Sequence, residues 1–539
     1  MPLMSPVPDR AIVGAHLRTL DPACPFATAV AMRDGAVVAV GDDAEIRALC
    51  DAKTDIVDGV GLHIVPGLTD SHIHPLMSAI RTQGADLTQA ATLDEVREVM
   101  AAERERTGAN GWVRGWGASF EPFLATGIRG DLFNDAVGGQ PTYIGFFDGH
   151  TAVANASALG IAGVDGPRQF EEASTIVCDE RGVPTGELNE WAAMAVVQRV
   201  MPQPTEEERY RLFVDAFRKY NQVGLTGLHA MDGAPAEFDI LRRMEENGDL
   251  TCRVILPLTQ TPDTTEAQMR DHLRHRDEHG RRWRGGVAKF FMDGVIESGT
   301  AWLIEPDSHN QGGLPFWPDP EAYRRAVALF AGAGFQCVTH AVGDMAVRYA
   351  LDSYKAAGAA PGIHHRIEHI EVVNDADLPR FAAEGVVASM QPLHMMWFEA
   401  SGADTWSERL GDRRHGAFRA RSLRDSGAIV ALGSDWMVAS YDPRVGMAWA
   451  RLRRAGGRPD RAPIVPAQAL TPLQALEGYT TESARTVGEA NVAGRIAPGF
   501  RADLTAFAAD PVDCDGDTLA TLPVLLTVTD GEIVHRAEA

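Results

Sequence analysis

Short runs of apolar and polar residues follow one another along the chain, and they differ between its ends and its middle. At residues 29–32 and 36–40 two apolar runs flank Asp34-Gly35, and at 524–528 and 532–535 two more flank Asp530-Gly531. Asp-Gly readily takes the φ > 0 positions of a tight turn, so each pair predicts an antiparallel hairpin. Neither end is long enough for a stable sheet alone, and one discontinuous β-sandwich domain of about residues 1–66 and 490–539 is expected. Between the ends, β-rich runs are mostly followed by stretches of helical character. Strands are expected around 64 and 72–74, then at 225–229, 252–258, 287–292, 337–340, 365–370, 386–391 and 429–432. Eight parallel strands with covering helices predict an α/β fold, a (β/α)8 TIM-like barrel over 67–489, with its chemistry at the C-terminal strand ends. The stretch from about 76 to 210 exceeds an ordinary βα connection and is expected to be a lobe inserted after the first strand, over the barrel mouth.

Composition narrows the partners. The 539 residues are 45% apolar, enough for one large core and a satellite. Lys and Arg number 50 against 74 Asp and Glu, a net charge of −24, with no basic run long enough to track phosphates, so nucleic acid is not expected. The start, Met1-Pro2-Leu3 with Asp9 and Arg10, lacks the basic and apolar regions of a secretory signal, and no window has the apolar length of a membrane span. Six scattered cysteines without a CxxC pair fit reduced thiols better than disulfides or a Cys-ligated zinc. A cytoplasmic protein is expected, with no membrane partner.

The strongest local signal is Pro66-Gly67-Leu68-Thr69-Asp70-Ser71-His72-Ile73-His74. Residues two apart on a strand point to the same side, so His72 and His74 can meet one metal ion. Lys289 sits in the apolar run Val287-Ala288-Lys289-Phe290-Phe291, where an ammonium is disfavoured unless paired or chemically modified. His340 and His369 end two later strands, in Thr339-His340-Ala341 and Arg366-Ile367-Glu368-His369, and Gly433-Ser434-Asp435 ends the eighth. Singly, these residues read as core histidines, an ion-paired lysine and a helix cap. Their convergence on one end of one barrel argues for a shared site.

With these motifs the chain resembles the amidohydrolase superfamily, in the family 3 branch that contains the N-substituted formamide deformylases and many long amidohydrolases such as YtcJ-like metal-dependent hydrolases. Further similar elements are residues 112–117, Asp148-Gly149-His150-Thr151, 289–294, 340–344, 389–394 and 494–504. The resemblance implies a metal-dependent hydrolase acting on an amide, N-formyl or related C–N bond of a small molecule. It implies one or two divalent ions, zinc foremost. In the two-metal form His72, His74 and Asp435 hold one ion, His340 and His369 the other, and an N6-carboxylated Lys289 bridges them. With a single metal, Lys289 stays unmodified and pairs with Asp293 or another carboxylate. Asp435 is then also the catalytic proton acceptor and donor. Where many relatives have a Gly-Ser-Arg-like sequence after Asp293-Gly294, this chain reads Val295-Ile296-Glu297-Ser298-Gly299, so specificity there is expected to differ.

Arg114, Trp116, His150, Trp302 and His394 are candidate substrate contacts, Arg114 for an acidic group and the tryptophans for an apolar pocket. His272, His275 and His279 imitate a metal spacing, but the charged residues around them read as an exposed helix. Two alternatives stay open: ester or lactone hydrolysis at the same site, and an inactive amidohydrolase-like scaffold. A homodimer is also left open.

Overall fold

The computed structural model describes residues 7–109, 111–147, 149, 151–170 and 174–538. Two units divide the chain: Met1–Pro75 with Val214–Trp436 and Ser440–Ala539, and Leu76–Phe213 with Met437–Ala439.

The first unit contains an eight-stranded, all-parallel sheet curved into a barrel. Its strands are β1 (Leu68–Ile73), β2 (Leu225–Ala230), β3 (Arg253–Thr259), β4 (Trp283–Phe291), β5 (Gln336–Ala341), β6 (Arg366–His369), β7 (Val387–Met390) and β8 (Val430–Leu432), paired in chain order. The expected α/β barrel is therefore the fold. Past the end of β8, the N–H groups of Ser434 and Asp435 donate to the carbonyl of His72 at 3.1 and 2.7 Å, bringing the last strand to the first.

One expectation is corrected. Ile64 was placed with the first barrel strand, but it lies on His63–Pro66, which pairs antiparallel with Leu504–Phe507 in a terminal sheet. The chain leaves that sheet at Gly67, where a Cβ would stand 2.3 Å from Thr226 Oγ1 and 2.9 Å from the Asp503 backbone. Only glycine fits so close an approach, and the barrel strand begins one residue later.

Both chain ends build the terminal sheets. One runs Ala36–Gly41, Ala29–Arg33, Arg10–Val13, Asp55–Asp58. The other runs Glu532–Arg536, Val524–Thr529, Leu504–Phe507, His63–Pro66, His16–Arg18, Phe26–Ala27. Ile12, Leu17, Val30, Met32, Ile64, Leu504, Leu526 and Val528 form one core between them. The two hairpin turns take the expected left-handed backbone, with φ of 52° and 78° at Asp34 and Gly35 and 58° and 78° at Asp530 and Gly531. The second turn is clasped to the barrel, since Asp530 accepts hydrogen bonds from Arg253 at 2.9 Å, Arg282 at 3.3 Å and Arg281.

The second unit carries its own six-stranded mixed sheet, ordered Thr175–Cys178, Pro184–Asn189, Thr151–Ala154, Thr142–Phe146, Val113–Ala118, Ala85–Asp86. Helix Leu93–Thr107, started by a Thr92–Glu95 capping box, packs Val96 and Met100 into its core. No described helix is long and apolar enough to cross a membrane.

Candidate metal centre

Active sites of parallel barrels lie at the C-terminal ends of the strands, and this chain places several buried or nearly buried histidine, lysine and aspartate side chains there. His72 lies on β1 and His74 just beyond it. Lys289 lies on β4, His340 on β5, His369 at the end of β6, His394 in the 3-10 turn Pro392–Trp397 after β7, and Asp435 after β8. His369, Ile370 and Asp435 have φ of 74°, 50° and 57°, a region that non-glycine residues seldom adopt. The backbone thus leaves strand geometry where these side chains must turn inward.

Asp435 is the hub. Its Oδ1 lies 3.2 Å from His72 Nε2 and 3.0 Å from His74 Nε2, and its Oδ2 lies 3.4 Å from His394 Nε2 and 3.8 Å from His369 Nδ1. His72, His74 and Asp435 form one group, and His369, His394 and Asp435 another, with ligand-type atoms in each within 4.8 Å of one another. His72 Nε2, His369 Nδ1 and His394 Nε2 are buried without a hydrogen-bond partner. Nitrogens that crowd a carboxylate without aligning as donors are arranged as ligands around a shared cation, so the residues present fit a metal ion.

The electrostatics favour His340 and His369 as ligands and set His394 apart: burial opposes its protonation, but Asp435 and Glu371 outweigh it and raise its pKa to about 9, so a metal ion bound there displaces a proton. Burial, reinforced by neighbouring cationic groups, depresses His340 to about 3 and His369 well below the usual histidine range, leaving both as the neutral imidazoles that metals bind. Lys289 is 1% exposed, and burial lowers its pKa to about 8 against the pull of Glu368 and Asp435. Among the described residues no carboxylate lies within ion-pair distance of it. Its ammonium stands 5.1 Å from the Phe291 ring. Asp293, the pairing partner named for an unmodified Lys289, instead accepts the backbone N–H groups of Trp302, Val342 and Gly343 at 2.8 to 3.0 Å, tying together the loops after β4 and β5.

A supporting layer lies behind these residues. His72 Nδ1 is 2.6 Å from Glu368 Oε2. Burial opposes ionisation of Glu368, but Arg366 and His72 outweigh it and hold its carboxyl down at about 2. Beside His394 stands Glu371, with Oε1 3.6 Å from His394 Nδ1 and Oε2 accepting from Trp406 Nε1 at 2.7 Å. Asp70 Oδ1 accepts the N–H groups of His72 and Ser434 at 3.0 and 3.1 Å, fixing the ends of β1 and β8 against each other.

A family model described as the amidohydrolase family matches residues 55–535. The chain belongs to the amidohydrolase family. As a member it is a metal-dependent hydrolase. It is 28% identical to an N-substituted formamide deformylase of Arthrobacter pascens, over 99% of each chain. It is also 28% identical to the protein LONG AFTER FAR-RED 3 of Arabidopsis thaliana, over 92% of this chain and 86% of that one. Among solved structures, an uncharacterized metal-dependent hydrolase of Pyrococcus horikoshii superposes with a TM-score of 0.75 at 22% identity, covering 94% of this chain and 99% of the other, a likeness of fold.

This amidohydrolase brings His72, His74, His369 and Asp435 together and adds His394, which sequence reasoning had placed among the substrate contacts. His340 enters neither group. Its ring is 4.4 Å from that of His369, and its Nε2 donates to the carbonyl of Gly294 at 3.1 Å, leaving Nδ1 as the nitrogen able to meet a metal. Trp302 is anchored through its backbone and packs on Tyr349 at 5.5 Å. Arg114 and Trp116 belong to the second unit, where the Arg114 guanidinium donates to the carbonyl of Pro202. His150 lies outside the described residues. Sequence reasoning passed over Glu368, Arg366 and Glu371. Their signal was present in Arg366-x-Glu368, two charged residues on the same side of a four-residue strand that also carries a candidate ligand.

Proposed function

We propose that this amidohydrolase hydrolyses a carbon–nitrogen bond, an amide, N-formyl or related linkage in a small molecule, at a zinc centre built on Asp435. The observation that carries the reading is the convergence of His72, His74, His369 and His394 on the two oxygens of one buried aspartate, with ring nitrogens left unpartnered. Imidazole and carboxylate donors suit zinc. The name of the Arthrobacter pascens relative, a deformylase of N-substituted formamides, supports the choice of bond.

His72, His74 and Asp435 would hold one ion. His369 with His394 or His340 would hold a second, and Lys289, as an N6-carboxylate, would bridge the pair. The absence of any described carboxylate partner for Lys289 supports its modification, since CO2 addition turns an unpaired buried amine into an anion beside cations. A divalent ion held there makes hydroxide available from water near neutral pH and polarises a carbonyl. Asp435 takes the proton of the attacking water on a carboxylate oxygen and delivers it to the departing amine nitrogen. Glu371, anchored by Trp406, keeps His394 turned toward Asp435.

Metal analysis of the purified protein, followed by a panel of N-formyl and N-acyl amines set against esters and phosphoesters, tests the reading. Bound divalent metal, loss of activity on chelation and preference for the C–N substrates are expected. Full activity in metal-free protein, or ester or phosphoester turnover exceeding amide turnover across a balanced panel, refutes it.

A further inference from the structure

Glu368 and Arg366 occupy the barrel interior beneath the proposed metal, and neither has a role in the reaction described above. Both are at most 1% exposed. Glu368 Oε2 stands 2.6 Å from His72 Nδ1, while its other oxygen, Oε1, accepts a hydrogen bond from Arg366 Nε at 2.8 Å and lies in ion-pair contact with Nη2 at 2.7 Å. The guanidinium then spends its remaining donors across the barrel: Nη1 to His229 Nδ1 on β2 at 3.1 Å, and Nη2 to Ser389 Oγ on β7 at 3.2 Å and to the carbonyl of Ser71 on β1. One arginine on β6 therefore fixes the carboxylate from three other strands, and the carboxylate can turn only one oxygen toward His72.

An ionised carboxylate accepts hydrogen bonds and donates none, so the His72 nitrogen facing it must carry the proton. That leaves the lone pair on Nε2, the nitrogen directed at Asp435. Resting on the metal-centre reading, we infer that Arg366 and Glu368 are a positioning pair that locks His72 in its Nδ1–H tautomer and thereby sets the affinity of the first metal.

The pair makes a discriminating prediction. In Glu368→Gln the Arg366 donors still demand an oxygen, so the amide NH2 is turned toward His72 Nδ1. A donor there requires a lone pair on Nδ1 and moves the proton to Nε2, which blocks the ligand atom. Zinc affinity, measured by chelator competition, is expected to fall about 10–100-fold. Removing the constraint with Arg366→Met lets the amide turn over and present its oxygen, so the double variant should bind zinc more tightly than Glu368→Gln alone. A merely structural role makes the double variant bind no better than the single one. In the parent protein, 15N-histidine labelling should reveal a low-field Nδ1–H resonance from the short bond to Glu368, assigned by its loss in His72→Gln.

Parental zinc affinity in Glu368→Gln, no recovery in the double variant, or absence of the low-field resonance overturns the inference while leaving the metal centre intact. If a variant fails to fold, the resonance in the parent protein alone decides. A parent protein that binds no divalent metal sinks both this inference and the reading on which it rests.

Discussion

Asp530→Asn perturbs the clasp between the C-terminal hairpin and the base of the barrel without changing side-chain shape. Asp530 sits at φ 58°, which asparagine also tolerates, so the turn survives and only the charge is lost. Its side chain is 6% exposed and meets Arg253, Arg281 and Arg282. Removing one partner of a buried ion pair costs about 3–5 kcal/mol when the other charge is left alone. Here the arginines keep other acceptors: Arg253 holds Asp503 at 2.7 and 3.2 Å, Arg282 holds Glu532 at 2.7 Å, and Arg281 holds the Asp34 carbonyl at 2.8 Å. The expected loss at neutral pH is therefore smaller, about 2–3 kcal/mol. Burial works against ionisation of Asp530, but the three arginines outweigh it and depress its pKa below the ordinary carboxylate value. A depressed carboxylate contributes its full stabilisation above the unfolded value, about 3.9, and loses it as pH falls through the folded one. Thermal denaturation of parent and variant across pH should show a gap that is constant from pH 7 to 5 and closes only below about 4. A gap under about 0.5 kcal/mol at pH 7, the range of an ordinary surface substitution, would refute the clasp.

Two further outcomes are expected. Lys289→Ala should lose one equivalent of metal and most activity, with part of it restored by short carboxylic acids; metal content and turnover with and without added acetate measure this, and unchanged metal content refutes the bridge. Burial pushes the Cys252 thiol up to about 12 and Cys337 higher still, so iodoacetamide on the folded protein should label only Cys24, Cys50, Cys178 and Cys514, as read by peptide mass spectrometry.

The barrel was legible in the sequence because parallel strands buried on both faces read as short β-rich runs, as at Arg253–Thr259 and Val430–Leu432, and such runs alternate with helical stretches along the chain. His72 and His74 were legible because a spacing of two has one meaning on a strand. Ile64 was misplaced for the same reason that the barrel was found: an apolar run reports burial, not which sheet buries it, and its partner Leu504–Phe507 lies more than 400 residues away. The grouping of His394 with His369 and Asp435 was hidden because His394 lies in a 3-10 turn, where no periodicity aims the side chain. Glu368 read as an ordinary charged neighbour of His369, since its orientation depends on Arg366 and on three strands that only the fold brings together.

The ligand positions and the strained backbone are one arrangement. A residue in strand geometry sends its side chain to one face of the sheet, and His369 and Asp435 are aimed by leaving that geometry at φ of 74° and 57°. Such conformations cost about 1–3 kcal/mol each and persist only where surrounding bonds over-determine them. Those bonds are present. Asp435 N–H is held by the His72 carbonyl at 2.7 Å, and Ile370 N–H by the Ala341 and Glu368 carbonyls at 3.1 and 3.0 Å. Each restraint comes from a residue that is itself a proposed ligand or stands next to one, so the hydrogen bonds between strand ends also hold the proposed ligand set in place. A substitution that relaxed β6 or the end of β8 into ordinary strand would gain local stability and lose the convergence on Asp435, which confines the strain to the rim where the metal centre is proposed.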